Sequence, residues 1–259
     1  LVPILLTKRK APNFKKISGM KLKEVYKSSP FGVVSSFLIG ISHSAVFSLI
    51  AVYATSMNFS ILEVSIVTFL FAISGAISQW PIGKLSDVLD RRIVIIYTTF
   101  GAALFCFLAI ISSGQMYMPA GLATSKIFFY ICIMCFSFCS LPMFALIFAH
   151  TNDFIPKEKF VAAGAGLQFV FGLGAICGPF MCSLFMEFLG ENGFFIFLII
   201  FHSFIGLFGI YRMQIRESGD NPDSQFAPMP QTITPAGIEL NPSTEPIDEP
   251  NNLNEFKKI

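Results

Sequence analysis

The short, charged stretch that separates two long apolar runs of this chain reads Gln79-Trp80-Pro81-Ile82-Gly83-Lys84-Leu85-Ser86-Asp87-Val88-Leu89-Asp90-Arg91-Arg92. No charged residue occurs from Val64 to Gly83 or from Ile93 to Ser125. Because a membrane helix needs about 20 apolar residues, each run is long enough to cross a bilayer. We therefore predict a tight loop at one membrane face, and its basic residues indicate the cytoplasmic side.

The pattern Gly83-x-Leu85-Ser86-Asp87-x-x-Asp90-Arg91-Arg92 resembles the signature loop of the major facilitator superfamily, whose usual form is Gly-x-Leu-Ala-Asp-Arg-x-Gly-Arg-Lys. In that superfamily the loop occurs once in each six-helix half. Two departures from the usual form matter: Val88 replaces a basic residue, and Asp90 replaces a glycine. The Asp-Arg-Arg ending resembles the bacterial YcaD-like branch.

The composition favours a protein embedded in lipid. Of the 259 residues, 54% are hydrophobic and only 13% are charged, against about 25% charged in average soluble domains. A soluble protein of this size would show amphipathic helical periods, whereas these runs are apolar all round. The net charge of +2 provides no strong basic field, so we do not expect nucleic acid as a partner.

Several apolar spans predict an all-α integral membrane bundle. Their approximate ranges are 31–55, 61–82, 93–112, 126–148, 160–188 and 193–211. Pro142 predicts a kink in the fourth span. Basic residues occur in every second loop, which places both ends of the bundle in the cytoplasm. The resemblance implies the C-terminal six-helix bundle of a twelve-helix transporter in a bacterial cytoplasmic (inner) membrane, with an N-terminal six-helix half missing from this chain.

The segments on either side of the bundle, which we assign to 31–212, have a different composition. Within residues 1–30, the first six read like the end of a preceding helix, and the rest form a basic linker on the cytoplasmic membrane surface. A nucleic-acid-binding arm is the alternative for that linker. Residues 213–259 are acidic and Pro-rich, and they predict a disordered cytoplasmic tail because they cannot bury enough surface to offset their ordering entropy. A partner-binding tail is the alternative.

The resemblance implies that the signature loop is a conformational gate formed by Gly83, Asp87, Asp90, Arg91 and Arg92. Asp87 would accept hydrogen bonds from a helix N-terminus of the opposite bundle. Arg91 and Arg92 would pair with acids or with lipid phosphates. The alternative is a basic loop that only fixes the membrane topology.

Two further motifs carry the resemblance. Gly174-x-x-x-Gly178-Pro179 resembles the Gly-x-x-x-Gly-Pro motif on the fifth helix of a half, and its small residues let helix backbones approach closely. Helix packing without any moving part is the alternative reading of these glycines. Asn152-Asp153 resembles the superfamily's loop between the fourth and fifth helices. Asp153 could equally be a helix-capping or solvated loop acid.

The candidate residues for binding a substrate or a proton are His43 and Gln168, which both lie within predicted spans. A polar or ionisable group at that depth is costly in lipid, which makes it a functional candidate. A neutral, hydrogen-bonded structural role for His43 is the alternative, and we assign His202 in the sixth span to packing. The six cysteines all lie within predicted spans, and we expect small apolar packing there with no metal site and no cofactor.

The sequence therefore predicts secondary active transport of a small-molecule substrate across the lipid bilayer by rocker-switch alternating access. It contains no Gly-rich phosphate-binding loop that could couple ATP, so we expect a proton gradient to drive transport. No arrangement of acid and base residues suggests catalysis, so we do not expect an enzyme. A six-helix membrane scaffold or a receptor-like subunit that does not transport is the alternative.

Overall fold

The computed structural model describes residues 20–115, 122–219 and 226–228, and this part of the chain is helical without β-strands. Its helices are α1 (Leu22–Ser28), α2 (Pro30–Ser56), α3 (Ile61–Val88), α4 (Arg91–Gln115), α5 (Leu122–Ser140), α6 (Met143–Asn152), α7 (Phe160–Leu189) and α8 (Gly193–Ile215). Among these residues, six spans are long and apolar enough to cross a membrane, with α5 and α6 together forming the fourth. The predicted all-α membrane bundle is thus confirmed.

The start of two spans is set by local sequence. Ser29 accepts a hydrogen bond from a backbone N–H in the first turn of α2, and Pro30 follows where its missing N–H costs nothing. Ser60 and Glu63 form a capping box at the start of α3, in which the Ser60 N–H donates to Glu63 Oε2 at 2.8 Å. Glu63 Oε1 also accepts from Lys126 Nζ at 2.6 Å, so an ion pair joins α3 to α5 at this end.

The fourth span is broken at the predicted kink. Helix α5 ends at Ser140, α6 begins at Met143, and Pro142 stands between them. Proline cannot donate the backbone hydrogen bond that a continuous helix requires. The break allows the backbone at Ser140 to bond a side chain from another helix.

The signature stretch is mostly helical, which corrects the tight loop predicted at 79–92. Helix α3 continues to Val88, and only Leu89 and Asp90 separate it from α4. Residues 84–88 contain no glycine or proline, so nothing in the local sequence stops the helix where the charges begin.

The segments on either side of the bundle are described only in part. Of the predicted linker at 1–30, residues 1–19 lie outside the described residues. Helix α8 continues to Ile215, past its predicted end at residue 211. The prediction of a disordered tail falls mainly on residues 220–225 and 229–259, which also lie outside the described residues.

Aromatic side chains fill the end of the bundle farthest from the signature stretch. Tyr53 stacks on Phe129 and Phe194, with ring centroids 5.9 and 5.2 Å apart. It also meets Phe195 edge-on at 4.9 Å. All four rings are buried, and they come from α2, α5 and α8. Ring pairs in these geometries add to the energy of simple burial, so this aromatic cluster ties three spans together.

The outward faces of α3 and α7 are apolar and the least buried of the spans. Helix α3 exposes Phe69, Ile77 and Trp80, and α7 exposes Phe169 and Phe180. In a bilayer such faces contact acyl chains or the apolar surface of another membrane segment.

Candidate functional site: an ion-pair cluster and a buried histidine pair

Arg91 lies between two carboxylates at the motif end of the bundle. Its Nη2 donates to Asp87 Oδ1 at 2.9 Å, and its Nη1 donates to Asp153 Oδ1 and to the Ala149 carbonyl oxygen, the latter at 3.3 Å. Arg91 and Asp153 are each only 10% exposed at the side chain, whereas Asp87 is 36% exposed. The group Asp87–Arg91–Asp153, here called the gate triad, therefore has one carboxylate that remains accessible from outside the bundle.

The chain positions the gate triad through helix ends. Asp87 is in the last turn of α3, and Arg91 is the first residue of α4, so the two-residue connection holds them four positions apart. Asp153 directly follows α6 and is its C-terminal flanking residue. Two motifs far apart in the sequence, the signature stretch and the Asn152-Asp153 pair, are thus joined by one guanidinium. Asn152 itself is buried at the end of α6.

Asp90, which replaces the usual glycine, forms a second ion pair with Arg92. Arg92 Nη2 donates to Asp90 Oδ2 at 2.6 Å, and the Arg92 backbone N–H donates to Asp90 Oδ1 at 2.9 Å at the start of α4. Burial acts to raise the pKa of Asp90, but the hydrogen bonds and positive charge of Arg92 outweigh it and hold the pKa below its usual value. Arg92 Nη1 also donates to the carbonyl oxygen of Arg216 at 2.6 Å, which connects α4 to the end of α8.

His150 is a neighbour of the gate triad that the sequence reasoning did not single out. Its Nδ1 lies 3.9 Å from Asp153 Oδ2, and its ring meets the rings of Phe31 and Phe154 edge-on at 5.1 and 5.2 Å. The available signal was its position three residues before Asp153, which puts the two on the same side of a helix.

Gly174 and Gly178 of the fifth span lie against the first span. A Cβ atom built on Gly174 would overlap the carbonyl oxygen of Phe37, and one built on Gly178 would overlap that of Ile41. Gly40 stands in the same relation to the carbonyl oxygen of Phe171 on the other side of this contact. Helices α2 and α7 therefore approach backbone to backbone at these points. Pro179 continues this helix after Gly178 without ending it.

Two histidines meet at the break in the fourth span. His43 Nε2 lies 3.1 Å from both the carbonyl oxygen and the Oγ of Ser140, and His202 Nε2 lies 2.8 Å from the same Oγ. His202 Nδ1 lies 2.9 Å from the Leu198 carbonyl oxygen and 3.3 Å from Ser42 Oγ. The four polar side chains of this network are buried and connect α2, α5 and α8, and Leu198 contributes only its backbone carbonyl oxygen.

When both rings are neutral, the neighbouring carbonyl oxygens decide which nitrogen of each histidine carries the proton. Because a carbonyl oxygen only accepts, His43 donates from Nε2 to Ser140, and His202 donates from Nδ1 to Leu198. Ser140 Oγ–H then donates to His202 Nε2. One hydroxyl thus links two imidazoles.

His43 and His202, which the sequence analysis treated separately, belong to one polar network. His202, assigned to packing, is indeed buried and meets Phe136 edge-on at 5.6 Å, but it also takes part in this polar network.

Gln168 is half-buried on α7, three residues before Phe171 and so on the same side of that helix. The Phe171 ring meets His43 edge-on at 6.3 Å.

Across residues 20–115, 122–219 and 226–228, no group of three or more His, Cys, Asp or Glu side chains is close enough to bind an ion. The thiols of Cys132 and Cys182 are buried among the apolar side chains that surround the aromatic cluster.

Comparison with protein families gives the decisive match. The model of the Major Facilitator Superfamily matches residues 32–246. The chain belongs to this superfamily. It is 23% identical over 201 residues to the uncharacterized MFS-type transporter YE1530 of Yersinia enterocolitica, covering 78% of this chain and 47% of that protein. It is 26% identical over 191 residues to the uncharacterized MFS-type transporter YfkF of Bacillus subtilis, covering 71% and 45%.

This superfamily member spans about half the length of the curated relatives it matches. No solved structure gives a match. Membership of the YcaD-like branch stays a prediction.

Proposed function

We propose that this chain is one six-helix half of a secondary transporter that moves a small solute across a bacterial cytoplasmic membrane by alternating access. The observation that carries the proposal is the gate triad, in which Arg91 joins the ends of three membrane segments in a member of a transporter superfamily. Superfamily transporters rock two bundles about a central site. Both ends of the described bundle would lie in the cytoplasm, as the basic loops indicate.

The opposite half is the partner that this proposal requires. The exposed apolar faces of α3 and α7 support it, because two bundles that slide against each other need apolar surfaces without fixed polar contacts. The relatives' greater length supports it as well.

Asp87 serves as the latch between the halves in this proposal. Arg91 holds the carboxylate at the end of α3, and its 36% exposure leaves room for a donor from the other bundle. A helix N-terminus that met it there would gain about 0.3–2 kcal/mol. Such a modest attraction suits a switch between two states that differ by only a few kcal/mol.

Proton coupling through the histidine pair is the second part of the proposal. His43 and His202 are the ionisable groups that share a buried hydroxyl between three spans, and ionisable groups at such depth often mark proton pathways. In the His43→Ala variant, solute uptake should lose its dependence on an imposed pH gradient, whereas Ser44→Ala, on the same helix, should keep it. An unchanged pH profile in His43→Ala would exclude the proton role.

The proposal is tested by uptake into vesicles. The complete reading frame is expressed, reconstituted, and supplied with a panel of labelled small solutes, with and without a pH gradient. We expect accumulation of at least one class of solute that collapses when the gradient is dissipated. If no solute accumulates and no second six-helix half accompanies this one, a membrane scaffold or receptor-like subunit becomes the better explanation.

A further inference from the structure

The chain returns to the gate triad after its last membrane helix. The Arg216 carbonyl oxygen accepts from Arg92, and Arg216 Nη1 donates to the Ser28 carbonyl oxygen at 2.5 Å. The guanidinium of Arg216 also lies 4.0 Å from the centre of the Phe154 ring. Three residues later, Gly219 packs so closely on Asp153 that a Cβ would lie 2.8 Å from the Asp153 carbonyl oxygen. The segment therefore turns across the end of the bundle that carries the gate triad and packs on Asp153.

Phe226 reaches the other carboxylate. Its backbone N–H donates to Asp87 Oδ1 at 2.9 Å, the same oxygen that accepts from Arg91. Its ring rests on Gly83, where a Cβ would overlap ring atoms. The ring also packs against the apolar clusters that contain Ile82 and Phe148.

We propose that Gly83 and Asp87 form a binding site for the segment of this chain that carries Phe226, and that the bound segment competes with the opposite half for Asp87. The competing function rests on the proposed transport function, whereas the binding itself does not. The backbone N–H of Phe226 is the type of donor that a helix N-terminus would present to Asp87. Because the bound segment lies over Asp87 and its ring lies over Gly83 one turn away, a helix that approached this face of α3 would have to displace it.

The apolar part of the site makes it selective for an aromatic residue. Asp87 alone would accept any backbone N–H, but the ring of Phe226 gains contact with a surface that glycine leaves open. A side chain at position 83 would fill that space. The site is therefore built from one acceptor and one glycine, four residues apart on α3, which places them one above the other on a helix.

The binding step is tested by distance measurements on the full-length protein in lipid vesicles. Spin labels are attached at Val88→Cys, an exposed position next to Asp87, and at Pro228→Cys, in a background without the six native cysteines. We expect one narrow distance distribution. It should broaden in Phe226→Ala and in Gly83→Ala, and stay narrow in Phe204→Ala and Gly172→Ala.

The two control variants make the same kinds of substitution as the test variants, at positions outside the proposed site. Phe204 is an exposed ring on α8, and Gly172 has open space where its Cβ would stand. A broad distribution in the parent protein, or one that Phe226→Ala leaves unchanged, would overturn the binding site.

The competing function is tested by uptake. If the bound segment holds Asp87 away from the other bundle, Phe226→Ala and a chain that ends at Gly219 should transport faster by about threefold or more. If the spin labels report binding but uptake is unchanged in both variants, the regulatory role is overturned and the binding site stands. Absence of uptake in every variant, the parent included, would contradict the transport function, while the distance measurements would still decide the binding.

Discussion

At the end of the bundle that carries Glu63, buried rings from three helices stack on one another around Tyr53, while at the opposite end one guanidinium joins two carboxylates. Ring packing is spread over many small contacts and is lost only when the helices separate. An ion pair is directional, and when it is largely buried the cost of removing its charges from water offsets much of their attraction. The aromatic end is therefore suited to stay closed within this bundle, and under the proposed transport function the ionic end is the one suited to exchange partners.

The largest effect is expected from breaking the aromatic end. Phe195→Ala should lower the free energy of unfolding by about 3–5 kcal/mol, because it removes a fully buried ring and leaves a cavity. Phe188→Ala, which truncates a ring that is 79% exposed on α7, is the control and should change it little. The measurement is reversible unfolding in mixed micelles. Equal effects of the two substitutions would show that the aromatic cluster is not the rigid part.

A smaller loss is expected along the contact between α2 and α7. Gly178→Ala should destabilise the fold by about 1–3 kcal/mol, since its methyl group would overlap the backbone of Ile41. Gly172→Ala, which meets open space, should be neutral or slightly stabilising because alanine favours helix. The same unfolding assay compares them. A neutral Gly178→Ala would mean that the two backbones are not held in contact.

At the ionic end, function should change more than stability. Asp153→Asn removes one of the negative charges that contact the largely buried Arg91 but keeps an amide oxygen as acceptor, so the free energy of unfolding should fall by about 1–2 kcal/mol. Uptake should fall by about tenfold, because the gate triad no longer joins α4 to the end of α6. The control is Glu158→Gln, which neutralises an exposed acid nearby. A loss of stability as large as that of Phe195→Ala would place Asp153 with the rigid part instead.

The smallest effect concerns Asp90 and appears only in acid. Its pKa in the folded protein lies below the usual value, so its pairing with Arg92 stabilises the fold above about pH 4. This contribution is lost as the pH falls through the folded pKa. The difference in unfolding free energy between the parent and Asp90→Asn should stay constant near neutral pH and shrink on acidification. A difference that grows on acidification would reverse the assignment.

The sequence allowed the spans and the superfamily to be predicted, because lipid demands uncharged runs of a fixed length and the signature stretch is local. The sequence analysis misplaced the end of α3, because the first charges mark where the chain leaves the hydrocarbon core of the membrane and not where the helix ends. Ser140 and His202 are 62 positions apart, so their bond depends on helix packing that no local pattern encodes. The contact of Phe226 with Gly83 was hidden because the tail's composition indicated disorder.

The central claim is that the ionic end works as a reversible latch and not as part of the fold, and the Asp87→Asn variant tests it most directly. Uptake and the free energy of unfolding are measured on the same reconstituted sample. We predict that the protein inserts normally, loses less than about 1 kcal/mol of stability, and transports at least about tenfold more slowly than the parent. Uptake at the parent's rate would contradict the account.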